Sequence, residues 1–195
     1  EMMEMLKVDL FHDEIFVFTP RGDVHKLKVD STPIDFAFAI HTQIGMKCNG
    51  AKINGKLVPL NTKLSNGDRV EVITSQNQSP NQAWLKIVQT TKAKTHVKRF
   101  IKKEEEEAST KLGKEMLEKL LRKVNKLSLL DQLSDNPEIA GFNNVNIIYS
   151  NIAKGKIIIK DLIEKYDDSI VDLDEINIVQ NESLTQRFIN KARGI

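Results

Sequence analysis

Residues 15–73 read IFVFTPRGDVHKLKVDSTPIDFAFAIHTQIGMKCNGAKINGKLVPLNTKLSNGDRVEVI. Ile15, Val17 and Thr19 alternate with Phe16 and Phe18, the β-branched and aromatic pattern of a strand. The run ends in Pro20-Arg21-Gly22-Asp23, where Pro presets φ and Gly supplies a positive φ, so the chain turns. Val24 to Val29 then alternates apolar with polar residues and returns as the second strand of a hairpin. Ser31 or Thr32 can cap a helix with Pro33 at its first position and Asp35 in its first turn, where the helix dipole favours an acid. The pattern predicts that helix from about Pro33 to His41 or Ile44, with Gly45 as its C-cap and His41 at its end. Ile34, Phe36, Ala37, Phe38, Ile40 and Ile44 form its apolar stripe, although Phe36 and Phe38 are not expected both to point straight inward.

Cys48 to Ile53, a turn at Asn54-Gly55, and Lys56 to Pro59 predict a second hairpin, because Asn-Gly is the strongest two-residue turn signal. Asn66-Gly67-Asp68 leads into a last alternating strand, Arg69 to Ile73. A small sheet with one helix packed across a face buries both apolar surfaces.

After Thr74 the period changes. Ser75 to Pro80 is a polar loop; Ala83, Trp84, Ile87 and Val88 then recur at helical spacing, and Ala93, Val97, Phe100 and Ile101 mark a second helical stretch. A third amphipathic stretch, through Leu112, Met116, Leu117, Leu120, Leu121 and Val124, ends near Asn125. Small helices are expected around Leu127–Leu133, Val145–Ile152 and Ile157–Tyr166, with breaks at Gly141 and Gly155 and a turn at Pro137. From Asp167 no period remains, and a partly disordered tail is expected. The opening EMMEMLKVDLF reads as the end of something upstream, so a fragment is expected.

A net charge of +2 is bland, but its distribution is not. Between Val72 and Lys103 there is no Asp or Glu, while Lys86, Lys92, Lys94, Lys98, Arg99, Lys102 and Lys103 lie there, which makes this the segment to meet a polyanion. The single cysteine, Cys48, excludes an internal disulfide and any multi-cysteine zinc site. The longest apolar runs fall far short of the roughly 20 residues of a membrane span, and no signal segment opens the chain, so a cytoplasmic protein is expected. His12, His25, His41 and His96 lack zinc-ligand spacing, and Lys52-Ile53-Asn54-Gly55-Lys56 is no phosphate loop. Asp13, Asp23, Asp35 and Asp68 suit turn or cap roles. No self-contained active site emerges.

Taken together, TPRGDV, STPIDFAFAIHTQIG, CNGAKINGKLVPL and LSNGDRVEVIT resemble the TGS domain, a ubiquitin-like β-grasp module of threonyl-tRNA synthetases, some GTPases and RelA/SpoT enzymes. The flanks LKVDLFHDEIFVFTP and AWLKIVQTTKAKTHVKRFIKK resemble the RelA/SpoT family specifically. Two positions depart from the family: Asp30 stands where Gly is frequent, and Ala83 replaces a frequent Asp. The resemblance implies an α+β chain: a remnant of an upstream synthetase domain at 1–10, a TGS β-grasp domain at 11–74, a linker at 75–79, an α-helical domain at 80–166 and a tail at 167–195. It also implies a regulatory part of a guanosine tetra/pentaphosphate synthetase (GTP pyrophosphokinase) of the stringent response. Catalysis, with Mg or Mn, ATP and GTP or GDP, would lie on parts of the parent absent here, and no cofactor is expected in this chain.

In that family the TGS domain is associated with the 3′ CCA end of deacylated tRNA on the ribosome, and the histidine of its HxxxG motif with reading that end. The resemblance carries this to His41, Thr42 and Gly45. Imidazole suits the task, since splayed nucleotides are read by stacking and by hydrogen bonds. The structural alternative is a helix-end histidine bonding the last carbonyls. Lys86, Lys94, Lys98, Arg99 and Lys102 are candidates for phosphate contact, the last four falling near one face if the helix is continuous, set against a merely solvated helix face. Trp84, among Ala83, Ile87 and Val88, suits a core better than a base stack. The expected partners are deacylated tRNA, the ribosome and the parent's catalytic domains, with no membrane. The competing reading is an autoinhibitory module that docks on those domains, or on a regulator, without touching RNA.

Overall fold

A computed structural model describes residues 13–167. The expected remnant at 1–10 and the expected tail, apart from Asp167, lie outside the described residues. The chain divides into two compact units, with the boundary between Lys103 and Glu104.

In the first unit β1 (Glu14–Phe18) and β2 (Val24–Lys28) pair antiparallel from Glu14↔Lys28 to Phe18↔Val24, around Gly22 at φ 93°. β3 (Cys48–Ile53) is the centre of a second sheet, pairing antiparallel with β4 (Lys56–Val58) on one side and β5 (Val70–Thr74) on the other. Asn54 and Gly55 both take positive φ, as the tight β3–β4 hairpin requires. A parallel bridge, Phe18↔Arg69, joins the two sheets, supported by Phe18 N–H donating to the Asp68 carbonyl at 2.8 Å. This is the α+β, ubiquitin-like arrangement expected. Asp30, where glycine is frequent, does take a left-handed conformation, φ 65°, and its carboxylate lies 3.0 Å from Lys63.

The central helix, α1 (Pro33–Ile40), stops at His41, the earlier of its two expected ends, but departs from expectation in two other ways. First, His41 is extended and a separate short helix, α2 (Thr42–Met46), follows it. Second, Phe36 and Phe38 are both fully buried, in different places. Phe36 packs with Ile15, Val17, Leu27, Ala51 and Val70 of the sheets. Ile34, Ala37 and Phe38 pack with Trp84, Val88, Ala93 and Val97. α1 is therefore covered on both sides, and a helix apolar all round is the kind that can be. Each buried Phe contributes roughly 1.5–3 kcal/mol.

Those covering residues belong to α3 (Gln82–Ile87), to Val88 at its C-cap, and to the start of α4 (Thr91–Lys123). The compact unit thus runs to Lys103, past the expected linker at 75–79, because Trp84 to Val97 complete the core around α1. The two helical stretches predicted on either side of Lys103 are one 33-residue helix.

The second unit begins within α4 and adds α5 (Leu129–Asp135), a 3₁₀ turn (Pro137–Ala140), α6 (Val145–Ala153) and α7 (Ile159–Tyr166). Leu117, Leu120, Leu121, Ile148, Ile152 and Leu162 form its core. Gly113 of α4 lies so close to the Tyr149 carbonyl of α6 that any Cβ there would overlap it. Gly141 and Gly155 provide the left-handed breaks anticipated between the small helices.

Asp35 is more than a turn or cap residue. Its carboxylate is buried and accepts from the Thr32 N–H at 2.9 Å and the Thr32 hydroxyl at 3.0 Å. It also accepts from the Gln89 N–H at 3.0 Å, the Thr90 N–H at 2.8 Å and the Thr90 hydroxyl at 2.8 Å. The first pair caps α1, and the others tie down the entry to α4. Removing a buried acceptor strands its donors, each at a cost of about 1–3 kcal/mol. Asp35→Ala is expected to destabilise the first unit by on the order of 3 kcal/mol. Urea unfolding followed by fluorescence of Trp84, the only tryptophan, measures this, and an unchanged midpoint would refute the assignment.

Candidate functional site

His41 occupies the joint between α1 and α2. Its backbone N–H donates to the Ala37 carbonyl and closes α1, while its ring Nδ1 accepts from the Gln43 N–H at 3.1 Å and opens α2. The histidine therefore does cap, but the following helix rather than the carbonyls of the preceding one. An Nδ1 that accepts assigns the ring proton to Nε2 in the neutral imidazole. The exposed side chain thus offers one N–H donor and two flat faces.

The other HxxxG positions divide by burial. Thr42 is half-buried at the start of α2 and lines the cleft described below. Gly45 is buried inside α2 rather than forming a C-cap, and a Cβ there would collide with the Phe38 ring. Its role is close packing, with no surface to give a ligand.

The basic residues separate as well. Lys86 is exposed in the last turn of α3. On α4, Lys94, Lys98 and Lys102 recur every fourth residue and form one ridge. Arg99 does not share it: at about 100° per residue it turns away from Lys98 and joins a different stripe. That stripe is His96, Arg99, Phe100 and Lys103, spaced i, i+3, i+4, i+7, while Ala93 and Val97 face the core.

This second stripe forms one wall of an open cleft of ≈ 360 Å³. Thr42, Gln43, Met46 and Lys47 form the opposite wall, with Gln78, Ser79 and Pro80 between. The Lys47 ammonium donates to the Gln76 carbonyl at 2.7 Å. His96 stacks on Phe38, centroids 5.7 Å apart and planes 7° from parallel, so its ring is held in place. Lys47, His96, Phe100 and Lys103 were not among the sequence candidates. The helical spacing from His96 to Lys103 was the available signal, masked because the run was read as one basic patch.

Trp84 is buried in the core, as its neighbours suggested, and cannot stack on a base. Among the described residues no group of three or more His, Cys, Asp or Glu could hold a metal ion, and no helix is long and apolar enough to cross a membrane.

Residues 15–74 match the TGS domain. The chain is 50% identical over 123 residues to a GTP pyrophosphokinase of Myxococcus xanthus, covering 63% of this chain and 16% of that protein. It is 43% identical over 164 residues to a guanosine-3′,5′-bis(diphosphate) 3′-pyrophosphohydrolase of Aquifex aeolicus, covering 84% of this chain and 23% of the relative. It is 38% identical over 174 residues to the bifunctional (p)ppGpp synthase/hydrolase RelA of Mycobacterium tuberculosis, covering 85% and 23%. The chain thus spans less than a quarter of the length of each of these relatives.

Burial pushes the Cys48 thiol from its ordinary 9.0 up to about 12. The unfolded thiol ionises above 9.0 and the folded one does not, so the unfolded state loses protons first and Cys48 contributes a fall in stability as pH rises from 9.0 towards 12. At neutral pH, alkylation of native Cys48 should be limited by opening of the fold; a rate equal to that of a free thiol would contradict this. Gly45→Ala should cost about 1–3 kcal/mol through overpacking against Phe38, read by thermal unfolding with Trp84 fluorescence.

Proposed function

Because this chain carries a TGS domain and its homologues over most of its length are RelA/SpoT-family proteins, we propose that it is the regulatory, tRNA-sensing segment of a (p)ppGpp synthetase or hydrolase. The observation that carries the proposal is the state of His41: exposed, fixed in orientation by the Gln43 N–H, and left with one outward donor. A splayed terminal nucleotide presents what such a group addresses, namely a π-face for stacking and acceptors on the base edge and ribose hydroxyls. A close fit around a free terminal ribose excludes an aminoacyl group by steric conflict, which makes the site a reader of deacylated tRNA. The ridge Lys94, Lys98 and Lys102, with Lys86 on α3, neutralises phosphates of the tRNA or of ribosomal RNA. Occupancy then biases the parent's catalytic domains between states. Synthesis or hydrolysis, with its divalent metal, ATP and GTP or GDP, belongs to parts of the parent beyond this chain.

The test compares deacylated with aminoacylated tRNA binding to the 195-residue chain and to two variants. His41→Asn keeps a side-chain oxygen able to cap α2 and loses the imidazole, whereas His41→Ala loses both. Deacylated tRNA is expected to bind preferentially and with strong salt dependence, and both variants should weaken it about tenfold. Equal affinity for charged and uncharged tRNA, or wild-type binding by His41→Asn, would reject the sensor. It would favour an autoinhibitory docking module instead.

A further inference from the structure

We infer that the cleft between α2 and α4 binds a free nucleotide polyphosphate, a ligand separate from the RNA end assigned to His41. Charge is the first argument. No carboxylate lines the cleft, and cations stand on both walls: Lys47 on one, Arg99 and Lys103 on the other. The partner of Lys47 is a neutral carbonyl, so its charge stays uncompensated. Neither Lys47 nor Arg99 forms an ion pair with the described residues. Cations on opposed walls suit a group carrying several negative charges, such as a terminal di- or triphosphate, better than a phosphodiester carrying one. Arg99 adds a planar fork that can hold two phosphate oxygens at once.

Shape and surface extend the argument from anion to nucleotide. At ≈ 360 Å³ the cleft lies at the small end of ligand pockets, which span roughly 300–1,000 Å³, and so has room for one such molecule rather than a folded strand. The His96 ring is pre-positioned by its stack on Phe38, and Phe100 adds a second aromatic surface. A planar base can stack there at little ordering cost, because the ring it meets is already held in place. Gln43 supplies both a donor and an acceptor for a base edge.

The test is calorimetric titration of the 195-residue chain with GDP, GTP, ADP, inorganic pyrophosphate, guanosine and a short single-stranded RNA ending in CCA. Saturable one-to-one binding of a nucleoside di- or triphosphate is expected, weakening as salt is added. Arg99→Gln should weaken it about tenfold or more, and Lys47→Gln similarly. Arg99 is exposed, so its replacement leaves the fold intact, and thermal unfolding of each variant verifies this. Lys94→Gln and His41→Asn should leave nucleotide affinity unchanged, so that loss of tRNA reading and loss of this site register in different variants. The inference is overturned if no nucleotide saturates the chain, or if pyrophosphate binds as tightly as GDP. It is equally overturned if only the RNA oligonucleotide binds in an Arg99-dependent way, since the cleft would then belong to the strand's path.

Discussion

One buried carboxylate holds the entry points of two helices. Asp35 sits in the first turn of α1, yet three of the five groups that donate to it belong to Gln89 and Thr90, more than fifty residues away, where α4 begins. A helix N-terminus presents unpaired N–H groups and a partial positive charge, and an anion answers both. Here a single anion serves two such ends. The surrounding chemistry favours this, because residues 72–103 contain no acid of their own and the carboxylate must come from elsewhere in the fold. With both ends tied to one group, α1 cannot shift without disturbing α4, and the apolar faces between them meet in a fixed register.

From that constraint the rest of the first unit follows. α1 is clamped between the sheets, through Phe36, and α3 and α4, through Phe38. The Phe38 ring then becomes a spacer with Gly45 against it and His96 stacked upon it. Only a residue without a side chain fits on α2 at that point, which explains the glycine of the HxxxG spacing by packing alone. The same contact brings α2 and α4 close enough to leave the basic cleft between them. Site geometry is in this sense a product of core packing, not of any flexible loop.

Much of this was legible in the sequence, and the exceptions have physical causes. Turn residues with unusual backbone needs, Gly22, Asn54-Gly55 and Gly141, announced the hairpins and breaks because those φ values exclude most other residues. The extent of the first unit was not legible. Periodicity reports which face of a helix is apolar but not which partner covers it, so Trp84 to Val97 read as the start of another domain. PIDFAFAI did hold the warning: apart from Asp35 it has no polar face, and a helix without one must be buried on every side. An end at His41 was one of the two expected, but the separate helix beyond it was hidden because an apolar stripe continues through Ile44, while the side chain of His41 makes the next cap. Arg99 was misplaced for a simpler reason. A run dense in lysine looks like one patch until each residue is rotated about 100° from the last.

His41 shows that capping and recognition need not be alternatives. A histidine used as an N-cap must keep Nδ1 unprotonated to accept the Gln43 N–H, and this leaves the proton on Nε2. A free imidazole can donate or accept from either nitrogen, whereas this one is restricted to donating from the outer edge. The restriction sharpens selectivity: a ligand group that is itself a donor meets an N–H and is refused, while an oxygen or ring nitrogen with a lone pair is accepted. The structural duty thus sets the chemical one. An asparagine could cap α2 equally well, but it would present neither the flat face nor the oriented donor, so a requirement for histidine here, rather than for any good N-cap, would have to come from what His41 touches outside the fold.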